Sequence, residues 1–305
     1  MSWQPWRAAF LHLRIPFSLL LLPPFVMALV GLEHLRLQTL LGMFFILHFL
    51  TYAASNGYNS YFDQDQGSIG GLKHPPPVGL EVLLLALVFD LTGLVLATQI
   101  SWLFVASVAL YSLVSLAYSH PRIRLKKYPW IGFFVVVFFQ GCFVVVMVRS
   151  EFQGMLNTWR LQDWSLAFLS TLGLFGAYPL SQIYQHQEDE ARGDLTLSRL
   201  LGVEQTWNWA RAWMAASVIG NLIWVLSSRN AALVVWFLIV FGFLGAVVFR
   251  RFGRSHRNQW NYENVMFLNS IGSVAMTLFW GGICLIHQTQ LNIHFQLAPG
   301  AMLIL

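Results

Sequence analysis

Charge is what this sequence most lacks. Only 10% of its 305 residues are Asp, Glu, Lys or Arg, whereas a soluble domain carries about 25%. Hydrophobic residues make up 57%. One water-soluble core cannot hide that much apolar surface, so the bilayer is the expected solvent. Cysteine is nearly absent too. Cys142 and Cys284 each sit inside an apolar run. That excludes a disulfide framework and a metal-type cysteine spacing, and leaves two small packing residues. No basic helix with interleaved aromatics accompanies the net charge of +5, so nucleic acid is not an expected partner.

Long apolar runs are what the chain has instead. The first, IPFSLLLLPPFVMALVGL, follows Arg7 and Arg14. It is longer than the apolar core of a signal peptide, has no small-x-small cleavage site, and eight more runs follow. It reads as a first transmembrane helix, bent near Pro23–Pro24. Roughly twenty apolar residues cross a bilayer. By that criterion there are nine spans, at 15–32, 37–58, 80–99, 101–118, 129–148, 164–185, 207–227, 231–249 and 265–287. The fold class is therefore all-α and polytopic.

Nine spans put the two ends on opposite sides. With the N-terminus in the cytoplasm, fourteen of the 18 Lys and Arg fall on that side: Arg7, Arg14, Lys73, Arg122, Arg124, Lys126, Lys127, Arg192, Arg199, Arg211, Arg250, Arg251, Arg254 and Arg257. Only Arg36, Arg149, Arg160 and Arg229 fall outside. The asymmetry predicts a cytoplasmic N-terminus, and the expected location is that of an integral multi-pass protein of the bacterial inner membrane.

Polar residues gather at two span ends. In the second, Tyr52, Asn56, Asn59 and Asp63 are spaced by four, three and four, which keeps them on one helical face. In the sixth, Tyr178, Gln182, Gln185 and Asp189 repeat that spacing 126 residues later. Tyr58 matches Tyr184 and Gly67 matches Gly193 at the same offset. The basic loops repeat as well, YSHPRIRLKK after the fourth span and FRRFGRSHR after the eighth. An offset of four spans is even, so both stripes finish on one side of the membrane. The pattern predicts a single domain over 1–305, built from two parallel four-helix units (about 10–128 and 129–260) plus a ninth helix.

Asn and Gln stripes can simply glue helices together, and loop acids can simply be solvated. Here the acids crowd the side that positive-inside bias reserves for bases, and they continue inward-facing stripes. Carboxylates and carboxamides around one cavity suit magnesium, which takes one or two carboxylates, substrate phosphates and several waters. Arg122, Arg124, Lys126 and Lys127 could hold the same phosphates, and Arg122 and Lys126, four apart, would share one face of a helix. An amphiphile with a diphosphate head and a hydrocarbon tail fits that description.

These stretches resemble the UbiA superfamily of intramembrane prenyltransferases. Members have nine helices, an Asn-Asp-x-x-Asp motif after the second and an Asp-x-x-x-Asp motif after the sixth. Asn59-Ser60-Tyr61-Phe62-Asp63 and Gln185-His186-Gln187-Glu188-Asp189 stand in the corresponding places. His74–Gly79, Tyr118–Lys127 and Gly193–Gly202 resemble the family's segments too. The resemblance implies magnesium-assisted transfer of a prenyl group from an isoprenoid diphosphate to a lipophilic acceptor, often an aromatic or quinone precursor. It implies Asn59, Asp63, Gln185 and Asp189 as the metal–diphosphate site, with Asp65 and Glu188 as auxiliary metal residues. It implies Asp63 and Asp189 as the acids central to catalysis. Arg122, Lys126 and Lys73 would grip diphosphate.

The departures are specific. Ser60 and Gln185 stand where the family has Asp, and His74 where it has Arg. A carboxamide oxygen can still coordinate a metal but brings no charge. Two alternatives stay open: a terpene cyclase of the same superfamily, which ionises the same diphosphate, and a polytopic transporter, whose polar residues would concentrate nearer the midplane. Asp90, in mid-span, is either a base or a buried hydrogen-bonded group. His48 either faces the substrate or bonds a neighbouring helix.

Overall fold

The computed structural model describes residues 3–154, 156–252 and 260–291. Arg254 and Arg257, in the loop after the eighth span, lie outside the described residues. Among the described residues, nine helices are long and apolar enough to cross a membrane. They are α1 (Gln4–Met27), α2 (Leu37–Asp63), α3 (Leu80–Ala97), α4 (Trp102–Ser119), α5 (Pro129–Gln153), α6 (Leu161–Ala191), α7 (Val203–Ser227), α8 (Ala231–Phe252) and α9 (Tyr262–His287). Each of the nine expected spans has its helix.

The first differs most from expectation. It starts near residue 4 rather than 15 and ends at Met27. Its main break lies at Arg14, which adopts a left-handed conformation (φ 46°), and a 3₁₀ turn at Leu19–Leu21 precedes the prolines. Arg14 is buried there. Its guanidinium donates to the carbonyls of Asn56 (3.0 Å) and Gly70 (3.1 Å), which offsets the burial of its charge.

Two helices carry irregularities that aim the polar stripes. A π segment, Ile46–Thr51, interrupts α2. Past it, Tyr52–Asp63 is regular and ends where Gln64 turns left-handed (φ 54°). In α6, Pro179 has no N–H to give the carbonyl four residues back. That carbonyl, of Phe175, instead accepts the indole N–H of Trp209 on α7 at 2.8 Å. The helix then loosens into a 3₁₀ turn, Ile183–Gln185, before one more turn at His186–Ala191. Close approach of α6 and α7 needs a small residue: a Cβ on Gly176 would lie 2.8 Å from the carbonyl oxygen of Ala210.

The largest apolar cluster joins Phe25, Tyr52, Phe104, Met147, Leu166, Trp224, Phe237 and Trp280, among others. It fills the half of the bundle that holds the start of α2 and of α6. The ends of those two helices, with the turn between α4 and α5, form the polar half. Outward-facing apolar residues such as Val88, Leu91 and Val95 on α3 and Ile219 and Ile223 on α7 stay exposed, as lipid-facing helices require.

Candidate functional site

One cavity of about 790 Å³ opens among the helices of the polar half. Asn56, Asn59 and Asp63 of α2 line it, and so do Tyr178, Gln182, Gln185 and Asp189 of α6. Lys126 and Arg192 join them at the same end. The remaining wall is largely apolar, from Leu20, Leu21 and Met27 on α1 to Phe241 and Leu244 on α8 and Met276 on α9.

Asp63 is the last residue of α2, where a carboxylate opposes the helix dipole. Bases compensate. Lys126 pairs with Asp63, and Arg124 Nη2 lies 3.4 Å from its other oxygen. Asn59 donates its amide to Asp63 (2.9 Å) and Ser119 (3.3 Å). That leaves its carbonyl oxygen for a ligand. Asp189 sits in the short last turn of α6 and accepts from Arg192 Nη2 at 2.7 Å. Arg192 also pairs with Asp65 and approaches Asp194 at 3.4 Å. Asp194 takes Arg124 through both oxygens, at 2.6 and 2.7 Å, a bidentate geometry that favours arginine.

Burial pushes the Asp65 carboxyl up to about 6, aided by the charge of Asp63 and opposed by Arg192. Burial also works against ionised Asp194, but Arg124, Lys126 and Arg192 outweigh it and hold that carboxyl below its usual range. Hydrogen bonding to Asp194 raises Arg124, and the surrounding aspartates hold Arg192 charged despite its burial.

Deeper in the cavity, Tyr118 and Tyr178 meet hydroxyl to hydroxyl at 2.5 Å. Gln182 donates to the Tyr178 oxygen at 2.9 Å. Tyr178 can then donate to Tyr118, whose own hydrogen is left to point elsewhere.

The loop after α2 packs down on this site. Gly70 and Gly71 rest on Phe17. A Cβ on Gly70 would come within 2.6 Å of that ring, and Gly71 is left-handed (φ 86°), so only glycine suits. Glu188 clasps the same loop: its Oε1 accepts from the backbone amides of Gln66 (3.0 Å) and Gly67 (2.6 Å).

The predicted site residues thus divide. Asn59, Asp63, Lys126, Gln185 and Asp189 meet at the cavity. Asp65 is buried just beside it, bonded to Arg192 and, at 3.4 Å, to the amide of Gln185. Glu188 is spent on loop amides. Arg122 is exposed and away from the cavity, and Lys73 pairs with Glu263 at the start of α9. The expectation that Arg122 and Lys126 share a helical face fails. The chain is a turn through residue 123, Arg124 is left-handed (φ 47°), and only Leu125–Lys127 is helical, as a 3₁₀ turn. That geometry swings Arg124 and Lys126 inward. Sequence reasoning did not place Arg14, Arg192 or Asp194 at the site. A base three residues after Asp189 and an acid two further on were the available signal.

Asp90 is hydrogen-bonded by Tyr58 (3.0 Å) and Ser112 (2.5 Å) within the α2–α3–α4 packing. His48 is buried, its Nδ1 3.1 Å from the Ser18 carbonyl of α1. Neither lines the cavity.

Nine membrane-length helices among the described residues, around a cavity with a polar mouth and apolar walls, define a polytopic intramembrane protein. The pattern of the UbiA prenyltransferase family matches residues 20–271, and the chain belongs to that family. No curated protein matches the sequence. Among solved structures, a UbiA homolog from Archaeoglobus fulgidus bound to GPP and Mg²⁺ superposes with a TM-score of 0.65 at 16% identity, over 90% of this chain and 99% of that one. The same homolog bound to DMAPP and Mg²⁺ gives 0.61 at 16% identity, over 91% and 99%. A digeranylgeranylglyceryl phosphate synthase gives 0.58 at 17% identity, over 92% and 99%. At such identities the likeness shows the shared fold.

Proposed function

We propose that the chain transfers a prenyl group from an allylic isoprenoid diphosphate to a lipophilic acceptor, an aromatic or quinone-type precursor. The carrying observation is a cavity with acids, carboxamides and bases at one end and apolar walls beyond. An ionic head joined to a hydrocarbon tail fits that division. The Archaeoglobus relatives bound to GPP or DMAPP with Mg²⁺ support the same substrate class and the same cation.

The donor set fits magnesium. Asn59, Asp63, Gln185 and Asp189 offer hard oxygens around the cavity end. Among the described residues no three acids, histidines or cysteines converge into a ready-made cage. An ion held by one or two carboxylates, substrate phosphate and water needs none. When bound, it neutralises charge developing on the leaving diphosphate. The chain's own groups do the rest. Lys126 and Arg192 hold the diphosphate as the C1–O bond breaks and its electron pair departs with oxygen. The rings of Tyr118 and Tyr178 shield the allylic cation. The apolar wall keeps out water, which would otherwise capture it. The acceptor bonds to C1 and releases a proton.

The charge asymmetry supports a cytoplasmic mouth, and the matched stripes support two parallel four-helix units. Single cysteines introduced as Ser68→Cys and Leu195→Cys should label from the cytoplasmic side; labelling of either from outside would overturn the orientation. For the activity, purified protein is incubated with radiolabelled allylic diphosphates and a membrane extract. A labelled, prenylated acceptor is expected, and none in excess chelator. A cyclic hydrocarbon formed without acceptor would identify a cyclase instead, and absence of any diphosphate release would sink the ionisation chemistry.

A further inference from the structure

Arg192 is the most shared side chain at the cavity mouth. One terminal nitrogen pairs with Asp65, from the loop after α2. The other takes Asp189 of α6 at 2.7 Å, and Nε approaches Asp194 at 3.4 Å. The guanidinium therefore bridges acids contributed by two separate segments, and the side chain is only 18% exposed. It also lines the cavity, beside the space a head group would fill. Bridging acids from two segments while facing a phosphate is the work a divalent ion does in a magnesium–phosphate site. The neighbouring residues agree with a smaller demand for metal. Ser60 brings no carboxylate, and Gln185 offers an amide that bonds Asp65 at 3.4 Å.

We propose that Arg192 is a resident cation of the diphosphate site, occupying the place where Asp65 and Asp189 would otherwise bind a further divalent ion. Asp65 is then a partner of Arg192 and not a metal ligand. Asp189 is shared between Arg192 and the metal bound nearer Asp63. A fixed cation costs no ion binding at each turnover and cannot leave with the product.

The proposal rests on the metal–diphosphate reading above, but its test needs no substrate. Mn²⁺ binding to the purified full-length protein in detergent is counted by loss of the free-ion EPR signal. Arg192→Gln should bind one more Mn²⁺ per chain than wild type, or bind it about tenfold more tightly. Adding Asp65→Asn to Arg192→Gln should remove that gain. Arg192→Lys should keep the wild-type count. Equal stoichiometry and midpoint for wild type and Arg192→Gln would overturn the proposal. If Arg192→Gln does not yield folded protein, Asp65→Asn alone decides: an unchanged Mn²⁺ count is expected, and a lost site would overturn it. Failure of the prenyl-transfer reading shows separately, as no diphosphate release by wild type with Mn²⁺ present.

Discussion

Helices α5 and α6 carry buried ion pairs at both ends, and the two sets are wired differently. At the far end, Arg149 pairs with Asp163 and donates to the carbonyls of Ala28 (3.0 Å) and Val30 (2.7 Å). Asp163 also accepts from Gln153 (2.8 Å) and the Arg160 amide (2.7 Å). Both residues of that pair are 4% exposed, and neither reaches the cavity. It is a clasp between α5, α6 and the turn that follows α1. At the cavity end no pair is exclusive. Arg124 serves Asp63 and Asp194, Lys126 serves the same two, and Arg192 serves three acids. Partners held in common can be exchanged. On the proposed reading, a diphosphate that draws Lys126 away leaves Asp63 for a cation, at little net cost in charge pairing, while Arg192 stays on its acids. A clasp whose partners serve only each other holds the fold; a shared network leaves room for a ligand.

The largest effect should come from the clasp. Arg149→Ala leaves Asp163 buried and unpaired, which costs about 3–5 kcal/mol. Thermal unfolding in detergent should drop accordingly, while the magnesium dependence of surviving enzyme stays as in wild type. Next come Asp63→Ala and Asp189→Ala. Each should lower turnover about 100-fold, close to 3 kcal/mol of transition-state stabilisation, with a smaller loss of thermal stability than Arg149→Ala. If the melting temperatures of all three fall alike and turnover per folded molecule holds, the two ends do not differ as described.

A finer contrast lies at Gln185. Gln185→Asp adds a charge at the metal end and should lower half-saturating magnesium roughly three- to tenfold. Its turnover need not rise, because the new anion also faces Asp65. Gln185→Leu should move the titration the other way. Unchanged titrations for both would make Gln185 helix packing only. The smallest effect is expected at Tyr58→Phe, which removes one of two hydrogen bonds to Asp90. A loss of about 1 kcal/mol should appear in thermal unfolding and leave the magnesium titration untouched.

The nine spans were legible because bilayer thickness imposes length and apolarity on every one of them. The α2 and α6 stripes were legible because helical spacing places Asn59 with Asp63 and Gln182 with Asp189. The basic segment was not. Its inward residues are set by a left-handed Arg124, and no periodicity announces one residue's φ. Arg122 looked equivalent to Lys126 on a helix that does not form there. Arg192 entered only the charge count, and Asp194 only the crowd of acids, since their partners Asp65 and Arg124 lie 127 and 70 residues away. Glu188 was singled out as a metal oxygen. Its partners are the backbone amides of Gln66 and Gly67, which every sequence has and none advertises.

The π segment at Ile46–Thr51 has a consequence for how this chain tolerates insertion and deletion. A π turn is an α-helix carrying one surplus residue. Removing one residue from 46–51 would let α2 close into an unbroken α-helix while the parts on either side keep their relative phase, because the π turn already absorbs one residue's rotation of about 100°. Met43, buried in the apolar cluster, and Asn59 and Asp63, at the cavity, would then all keep their places. Single-residue deletions scanned along α2 should therefore be least disruptive within 46–51. Well away from it, a deletion turns one part of the helix against the other and moves either the apolar or the polar stripe. The extra residue works as slack, letting the helix absorb a change of length without twisting its packed start against its polar end.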